Sequence, residues 1–168
     1  MDHQEYLDLV ESRLEAYFDI DRDHEYQQTH FDLYAKSNIR SERYFASKKL
    51  KIYAMENNEH VFLKEYPEIT DRNFRDTWQV LMKAIEEKVD PHEEHMSTAI
   101  NGVLVTSQDP SQGLIKEVEK IKYNKSFAFG FKGWVFIRFL VINRITGGVF
   151  TNRRGKEVSE VYAPVKQT

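Results

Sequence analysis

One short stretch near the middle of the chain concentrates residue types that could do chemistry. In DPHEEHM, Asp90–Met96, two of the six histidines stand beside three carboxylates. Residues three apart project on the same side of a helix, so two such histidines could share a divalent metal ion with nearby carboxylates and a distant ligand such as His60. The candidate metal ligands are His92, Glu93, Glu94 and His95.

The same stretch is also typical of a helix start. Asp90 would be the N-cap, Pro91 the first helical residue and Glu93 the capping-box partner. Carboxylates in the first turn suit the positive end of the helix dipole. Asp109-Pro110 repeats this pair without histidines. We therefore expect a helix cap at DPHEEHM, with no cofactor, and keep the metal site as the alternative.

A second candidate site combines lysines with aromatic residues in KIKYNKSFAFGFKGW, residues 120–134. Basic residues interleaved with aromatics can bind phosphates and stack bases, and residues 116–156 carry ten Lys+Arg against two Asp+Glu. The candidate residues for anion or nucleic-acid binding are Lys122, Lys125, Lys132, Arg153 and Arg154. Alternation in SFAFGF instead places Phe127, Phe129 and Phe131 on one side, as in core packing. We favour this structural role.

Arg138 lies inside the apolar run WVFIRFLVI, residues 134–142. A guanidinium in such a strand needs a carboxylate partner or must line a pocket. Residues 1–96 carry 13 Lys+Arg against 22 Asp+Glu, a net −9, whereas residues 97–168 carry 11 against 5, a net +6. We expect the two parts to complement each other, and Arg138 to be a buried charge paired with a carboxylate of the acidic part.

Composition limits the class of protein. The 168 residues, 40% hydrophobic and 30% charged, suit one globular domain over 1–168. The chain has no Cys, which excludes disulfides and thiol nucleophiles and suits a reducing compartment. The N-terminal sequence lacks the pattern of a signal peptide, and the apolar run at 134–142 is too short to span a membrane. We expect a cytoplasmic protein without a membrane partner.

Hydrophobic periodicity predicts the elements of the N-terminal part. Apolar residues at helical spacing predict a helix over 3–18, followed by an acidic loop at 19–25. An antiparallel meander follows, with a tight turn at Asn57-Asn58 and alternating faces in KLKIYAM. Its three strands are expected at 31–39, 44–55 and 60–66.

The remaining elements predict helices packed against a sheet. Thr70 or Asp71 caps a helix whose apolar stripe is Phe74, Trp78, Leu81, Met82, Ile85 and Val89. A strand at 98–106, a helix from Asp109-Pro110 and a strand at 134–142 form a right-handed crossover, so the two strands should be parallel neighbours. A hairpin at Gly147-Gly148 and a turn at 152–155 add strands at 149–151 and 157–162.

The resulting order, α-β-β-β-α-β-α-β-β-β, predicts a single-domain α+β fold. An antiparallel meander and a strand–helix–strand unit would form one mixed sheet packed by helices. The opening order resembles the core of the PD-(D/E)XK nuclease-like fold, whose chemistry needs a D/E-x-K group on a strand to hold a metal and position water. Residues 44–66 contain no such group, and the one match, Glu86-Glu87-Lys88, falls on the predicted helix. GxGxxG, GxxxxGK[ST], GxSxG and HExxH are also absent.

Three stretches carry a family resemblance: YFASKKLKIYAMENNEHVFLKEY, DPHEEHMSTAINGVLVT and SFAFGFKGWVFIRF. Together they resemble a family of short uncharacterised bacterial proteins, a domain of unknown function that covers nearly the whole chain. The resemblance implies a bacterial cytosolic source and brings no activity or site residues.

The absence of a catalytic constellation favours a noncatalytic binding or protein-interaction module over an enzyme, with self-association as one form of interaction. A metal-dependent hydrolase or degenerate nuclease-like enzyme is the first alternative. Nucleic-acid binding through the basic residues 116–156 is the second.

Overall fold

A single mixed sheet organises the protein. The computed structural model describes the backbone of residues 1–44 and 52–164 and the side chains of residues 1–40 and 56–164. In these residues seven strands and four α-helices follow one another as α1 (His3–Leu14), β1 (Asp19–Tyr26), β2 (Thr29–Tyr44), β3 (Ile52–Glu65), α2 (Asp71–Lys88), β4 (His95–Thr106), α3 (Gln112–Glu119), β5 (Asn124–Ser126), β6 (Trp134–Asn143), β7 (Val149–Thr151) and α4 (Ser159–Tyr162). None of these helices is long and apolar enough to cross a bilayer.

The sheet has the strand order β1-β2-β3-β4-β6-β5, and β7 pairs with the other end of β6. The first three strands form an antiparallel meander, as predicted, but the predicted bounds were wrong. The predicted strand 31–39 lies in β2 and 60–66 lies largely in β3, whereas the described residues of the predicted strand 44–55 are divided between β2 and β3. β3, β4 and β6 are parallel neighbours, and α2 and α3 supply the crossovers between them. The predicted α+β fold with one mixed sheet is therefore confirmed, including the parallel pairing of 98–106 with 134–142.

The sheet is buried on both faces because amphipathic helices cover each of them. α2 begins at the Thr70 cap, which accepts from Asn73 N. Its apolar stripe and that of α3 pack on one face, over a core that includes Phe62, Ile100, Leu104, Ile137 and Phe139. α1 and Tyr162 of α4 cover the other face, over Leu33, Val61, Leu63, Val103 and Leu140. α1 ends at Leu14, four residues before the predicted end, and Tyr17 is exposed.

Two further predictions for the meander were wrong. The acidic segment 19–25 is the edge strand β1 rather than a loop, because an edge strand can direct alternate charged side chains to water. Asn57-Asn58 lies inside β3 rather than in a turn, and Asn38 Nδ2 donates to Asn58 Oδ1 across the β2–β3 ladder at 2.6 Å. The alternation predicted for KLKIYAM lies outside the side chains described.

DPHEEHM does not start a helix, so this prediction was also wrong. α2 ends at Lys88, and a loop then leads to β4, whose first residue is His95. Glu56 N donates to Glu94 O at 2.8 Å, so the segment is already joining the β3–β4 ladder. The Glu94 carbonyl is therefore bonded to the sheet, and Asp-Pro marks the exit from α2.

Similar corrections apply in the C-terminal part. Ser111, rather than Asp109, caps α3, and Asp109 accepts from Asn143 Nδ2 at 2.7 Å. Residues 157–162, predicted as a strand, belong to a 3-10 helix (Arg154–Val158) and to α4. SFAFGF does not alternate into the core: a 3-10 turn (Ala128–Gly130) interrupts it, and Phe129 and Phe131 are exposed.

Gly102 in β4 permits the closest approach of α2 to the sheet. A Cβ at this position would lie 2.7 Å from Leu81 Cδ1 and 3.3 Å from the Phe139 ring. We expect Gly102→Ala to destabilise the fold by about 1–3 kcal/mol through overpacking, measured by urea denaturation. Gly113→Ala is the matched control, because its Cβ would meet nothing closer than 3.9 Å. An equal loss in both variants would contradict this account of the packing.

Candidate functional site

A cavity of about 380 Å³ opens on the α2 side of the sheet, beyond the end of that helix. β2 and β3 form its floor, with Lys36 directly opposite His60 and Asn38 directly opposite Asn58. Lys88, the last residue of α2, overhangs these strands. The residues that line the cavity are Asp19, Lys36, Ser37, Asn38, Asn58, His60 and Lys88.

Two lysines face this cavity without a carboxylate partner. Among the described side chains, no carboxylate oxygen lies within 4.0 Å of the ammonium of Lys36 or Lys88. Lys88 Nζ instead lies 4.6 Å from the ring centre of Tyr26 and 5.2 Å from that of Tyr34. Burial lowers the pKa of Lys88, the neighbouring Glu87 opposes this, and the charge of Lys36 lowers it further. The cavity therefore holds two ammonium groups, and among the described side chains neither has a carboxylate within ion-pair distance.

His60 is neutral at physiological pH. Burial, and then the charges of Lys88 and Lys36, lower the pKa of its ring to about 4. The Tyr34 hydroxyl lies 2.8 Å from His60 Nδ1, and burial raises the pKa of Tyr34 to about 12, so the phenol keeps its proton and can donate a hydrogen bond to the ring. The proton of a neutral imidazole then resides on Nε2. His60 thus has one remaining hydrogen-bond donor.

Several hydrogen-bond donors line the cavity. Two ammonium groups, the His60 Nε2–H and the Asn58 amide all belong to its lining, while the Asn58 oxygen is occupied by Asn38. The one carboxylate in the lining is that of Asp19, an exposed residue opposite Lys36 in the β1–β2 ladder. This chemistry suits a carboxylate or phosphate group, which accepts several charge-assisted hydrogen bonds.

DPHEEHM lies beside this cavity, but its two histidines do not converge. His92 Nε2 lies 2.9 Å from Glu56 Oε2, and its Nδ1 accepts from Glu94 N. The Glu94 carboxylate pairs with Arg40 at 2.9 Å, and Glu93 is exposed.

The ring of His95 is held by hydrogen bonds at both of its nitrogens. Its Nδ1–H donates to Lys132 O at 2.7 Å, and Nε2 accepts from the Thr98 hydroxyl at 2.8 Å. Both ring nitrogens are therefore occupied, and the ring centre lies 6.1 Å from that of His92. Over the side chains that the structure describes, no group of three or more His, Asp or Glu could hold a metal ion.

Two of the candidate basic residues lie on opposite faces of the sheet. Lys125 of β5 is opposite Val135, whose side chain faces α2. Arg154 lies over the ring of Phe136 at 4.3 Å, on the other face, and pairs with Glu157 at 3.3 Å. Lys122, Lys132 and Arg153 are exposed. Lys125 and Arg154 therefore do not share one sheet face.

Arg138 lies on the face covered by α1 and α4. It donates to Glu59 at 3.1 Å and to Glu157 at 2.9 Å. Asn101 Nδ2 also donates to Glu59, at 2.5 Å. Glu59 belongs to the acidic part of the chain, as does Glu65, which pairs with Arg144 at 3.0 Å. Ion pairs thus join the acidic and basic parts, as the charge distribution predicts.

Sequence reasoning missed the cavity that the fold forms. Lys36 and His60 share a face because their strands pair in register, and this register could have been proposed from alternation in β2 and β3. Lys88 is 28 residues from His60 along the chain, and only the return of α2 across the sheet brings the two together.

The fold and this cavity define a class: a single-domain α+β protein with a donor-rich pocket on one sheet face. The family model described as Domain of unknown function (DUF8052) matches residues 2–164, so the chain belongs to that family. No curated protein and no solved structure matches the chain.

The low pKa of His60 predicts a specific pH dependence of stability. Between its folded pKa of about 4 and the model-peptide value of 6.5, the unfolded state binds more protons, so stability falls as pH decreases through this range. The loss attributable to His60 is at most about 3 kcal/mol. His60→Gln should be less sensitive to pH between 6.5 and 4 in chemical denaturation, whereas Asn38→Ala should keep the wild-type profile. Identical profiles for wild type and His60→Gln would exclude this role.

Removal of the Arg138 ion pairs is expected to lower the stability of the fold. Arg138→Met leaves the half-buried Glu59 without its cation, and we expect a loss of about 2 kcal/mol in the free energy of unfolding. Arg72→Met is the control, because its contact with Asp76 is exposed and 3.8 Å long, and should cost less than about 0.5 kcal/mol. Equal losses of stability in the two variants would show that the Arg138–Glu59 ion pair stabilises the fold no more than an exposed pair does.

Proposed function

We propose that this protein is a noncatalytic binding module that holds a small anionic ligand between Lys36 and Lys88. The observation that carries the proposal is that two cations share a cavity without a carboxylate partner among the described side chains, beside a neutral histidine. Bringing like charges together costs free energy. An anion in the cavity would offset that cost, which makes it the natural occupant.

Size and chemistry limit the ligand to a small molecule. The cavity of about 380 Å³ is within the usual range for small-molecule sites, roughly 300–1,000 Å³. Its lysines would bind a carboxylate or phosphate group, and the His60 Nε2–H would donate a further hydrogen bond. Tyr34, which is hydrogen-bonded to His60, also stacks on the ring of His24, with ring centres 4.3 Å apart. These contacts fix the orientation of the His60 ring.

The arrangement favours binding over catalysis. At neutral pH, His60 is a weak base because its pKa is lowered to about 4. A general base must be able to take a proton near the operating pH. No metal-binding group accompanies the lysines among the described residues.

The two alternatives have weaker support. A metal-dependent hydrolase would use His92, Glu93, Glu94 and His95, but the ring nitrogens of both histidines are occupied by protein groups. The nuclease-like element order is analogy without the D/E-x-K group that the chemistry needs. Nucleic-acid binding would need Lys125 and Arg154 on one surface, and they lie on opposite faces of the sheet.

The proposal includes a bacterial cytoplasmic location. A chain without Cys suits a reducing compartment, where small phosphorylated and carboxylated molecules are abundant potential ligands. Self-association remains compatible with this module, because the cavity is built from one chain.

Ligand screening tests the proposal. Isothermal titration with phosphate, sulfate, citrate and a nucleoside monophosphate should identify at least one anion that binds with one-to-one stoichiometry. Lys36→Met and Lys88→Met should each weaken that binding by about tenfold or more, because each removes a charge-assisted contact worth roughly 1.5–3 kcal/mol. Raising the salt concentration should also weaken it.

Lys120→Met is the matched control for the titration, since Lys120 is exposed on the other side of α2, beside an apolar groove. It should bind the anion as the wild type does. Saturable binding that is equally strong in Lys36→Met and Lys88→Met would place the ligand elsewhere. Failure of every anion to bind at millimolar concentration would refute the proposal.

A further inference from the structure

The connection between β5 and β6 presents two phenylalanines to solvent. Phe129 is 100% exposed and Phe131 is 84% exposed. Large apolar side chains that project in this way contribute nothing to the core, and adjacent exposed apolar groups mark interaction sites. We name residues 127–133 the aromatic tip.

The tip is a rigid turn, held by its own backbone. Phe127 N donates to Gly133 O at 2.9 Å, Gly130 N to Phe127 O at 2.9 Å and Phe131 N to Ala128 O at 3.0 Å. Ala128 and Phe129 adopt positive φ angles, +47° and +55°, which are unfavourable for side chains other than Gly. The fold therefore keeps a strained backbone that aims Phe129 outward, and such strain is typical of functional segments.

The base of the tip is fixed to the sheet. His95 donates to Lys132 O, and a Cβ on Gly133 would lie 2.4 Å from Met96 O, so only glycine fits there. His95 thus anchors the tip to the start of β4. This contact explains the presence of His95 in DPHEEHM, which neither helix capping nor metal binding explains.

The surroundings of the tip are basic. Residues 120–134 contain Lys120, Lys122, Lys125 and Lys132 and no Asp or Glu. Projecting aromatic groups with lysines in and next to the tip match the interface of an anionic bilayer, where rings enter the headgroup region and lysines attract lipid phosphates. Exposed aromatic rings can also stack with the bases of a single-stranded nucleic acid, so binding to single-stranded RNA is measured as the competing outcome.

We propose that the aromatic tip docks this protein peripherally on an anionic membrane surface, with Phe129 and Phe131 inserted and the neighbouring lysines on the headgroups. Such docking requires no membrane-spanning segment. The aromatic tip contributes no residue to the lining of the Lys36–Lys88 cavity, so each proposal can be tested independently of the other.

Vesicle sedimentation tests this inference on the whole chain. The protein should sediment with vesicles of phosphatidylcholine containing 30% phosphatidylglycerol, roughly the anionic content needed for a strong surface potential, and poorly with phosphatidylcholine alone. Phe129→Ser/Phe131→Ser should reduce binding by about tenfold or more. Lys125→Gln/Lys132→Gln should reduce it several-fold and lessen its salt dependence. Ile145→Ser, at an exposed apolar residue in another turn, is the control and should bind as wild type does.

A second readout places the tip in the bilayer. In a folded Phe129→Trp variant, emission should shift to the blue on addition of anionic vesicles, and brominated lipid should quench it. Absence of sedimentation, or binding that survives loss of both phenylalanines, would overturn the proposal. It would also be overturned if the two phenylalanines instead support a homodimer in size-exclusion chromatography or binding to single-stranded RNA.

Discussion

The parallel pairing of β3 with β4 determines the arrangement of the whole protein. Parallel strands cannot be joined by a tight turn, so the chain must return along the sheet before β4 can begin. α2 makes this return over the apolar face, where Gly102 allows it to approach closely. The end of α2 therefore lies over the first half of β3. This constraint brings Lys88 to His60 and directs DPHEEHM into the start of β4.

Among the described side chains, the basic residues on the two sheet faces differ in whether they have carboxylate partners. Around Arg138, two carboxylates and Asn101 form a network in which the cation has protein partners. On the α2 face, burial and then the charges of Lys88 and Lys36 lower the pKa of His60, and among the described side chains neither lysine has a carboxylate within 4.0 Å. The difference is the physical reason to interpret the cavity as a binding site.

Much of the fold could be predicted from local sequence. α2 was evident from its apolar stripe, and β4 and β6 from their continuous apolar runs, because burial leaves a direct pattern. Local patterns failed where tertiary pairing decided the outcome: Asn57-Asn58 suits a turn but is held in a ladder, and 19–25 becomes a strand by pairing with β2. The cavity depends on the strand register and on the return of α2, and no contiguous motif encodes either one. The pairing of Arg138 could be predicted from the sequence, because a charged side chain inside an apolar strand requires a partner.

Nuclear magnetic resonance of the His60 side chain tests the central claim most directly. An anion between the two lysines would stabilise the imidazolium, so by thermodynamic linkage its binding must raise the pKa of His60. We predict a His60 pKa of about 4 in the free protein, and a higher value when the ring resonances are titrated with pH in saturating phosphate or a tighter-binding anion. A pKa of His60 that is the same with and without bound anion would contradict the account.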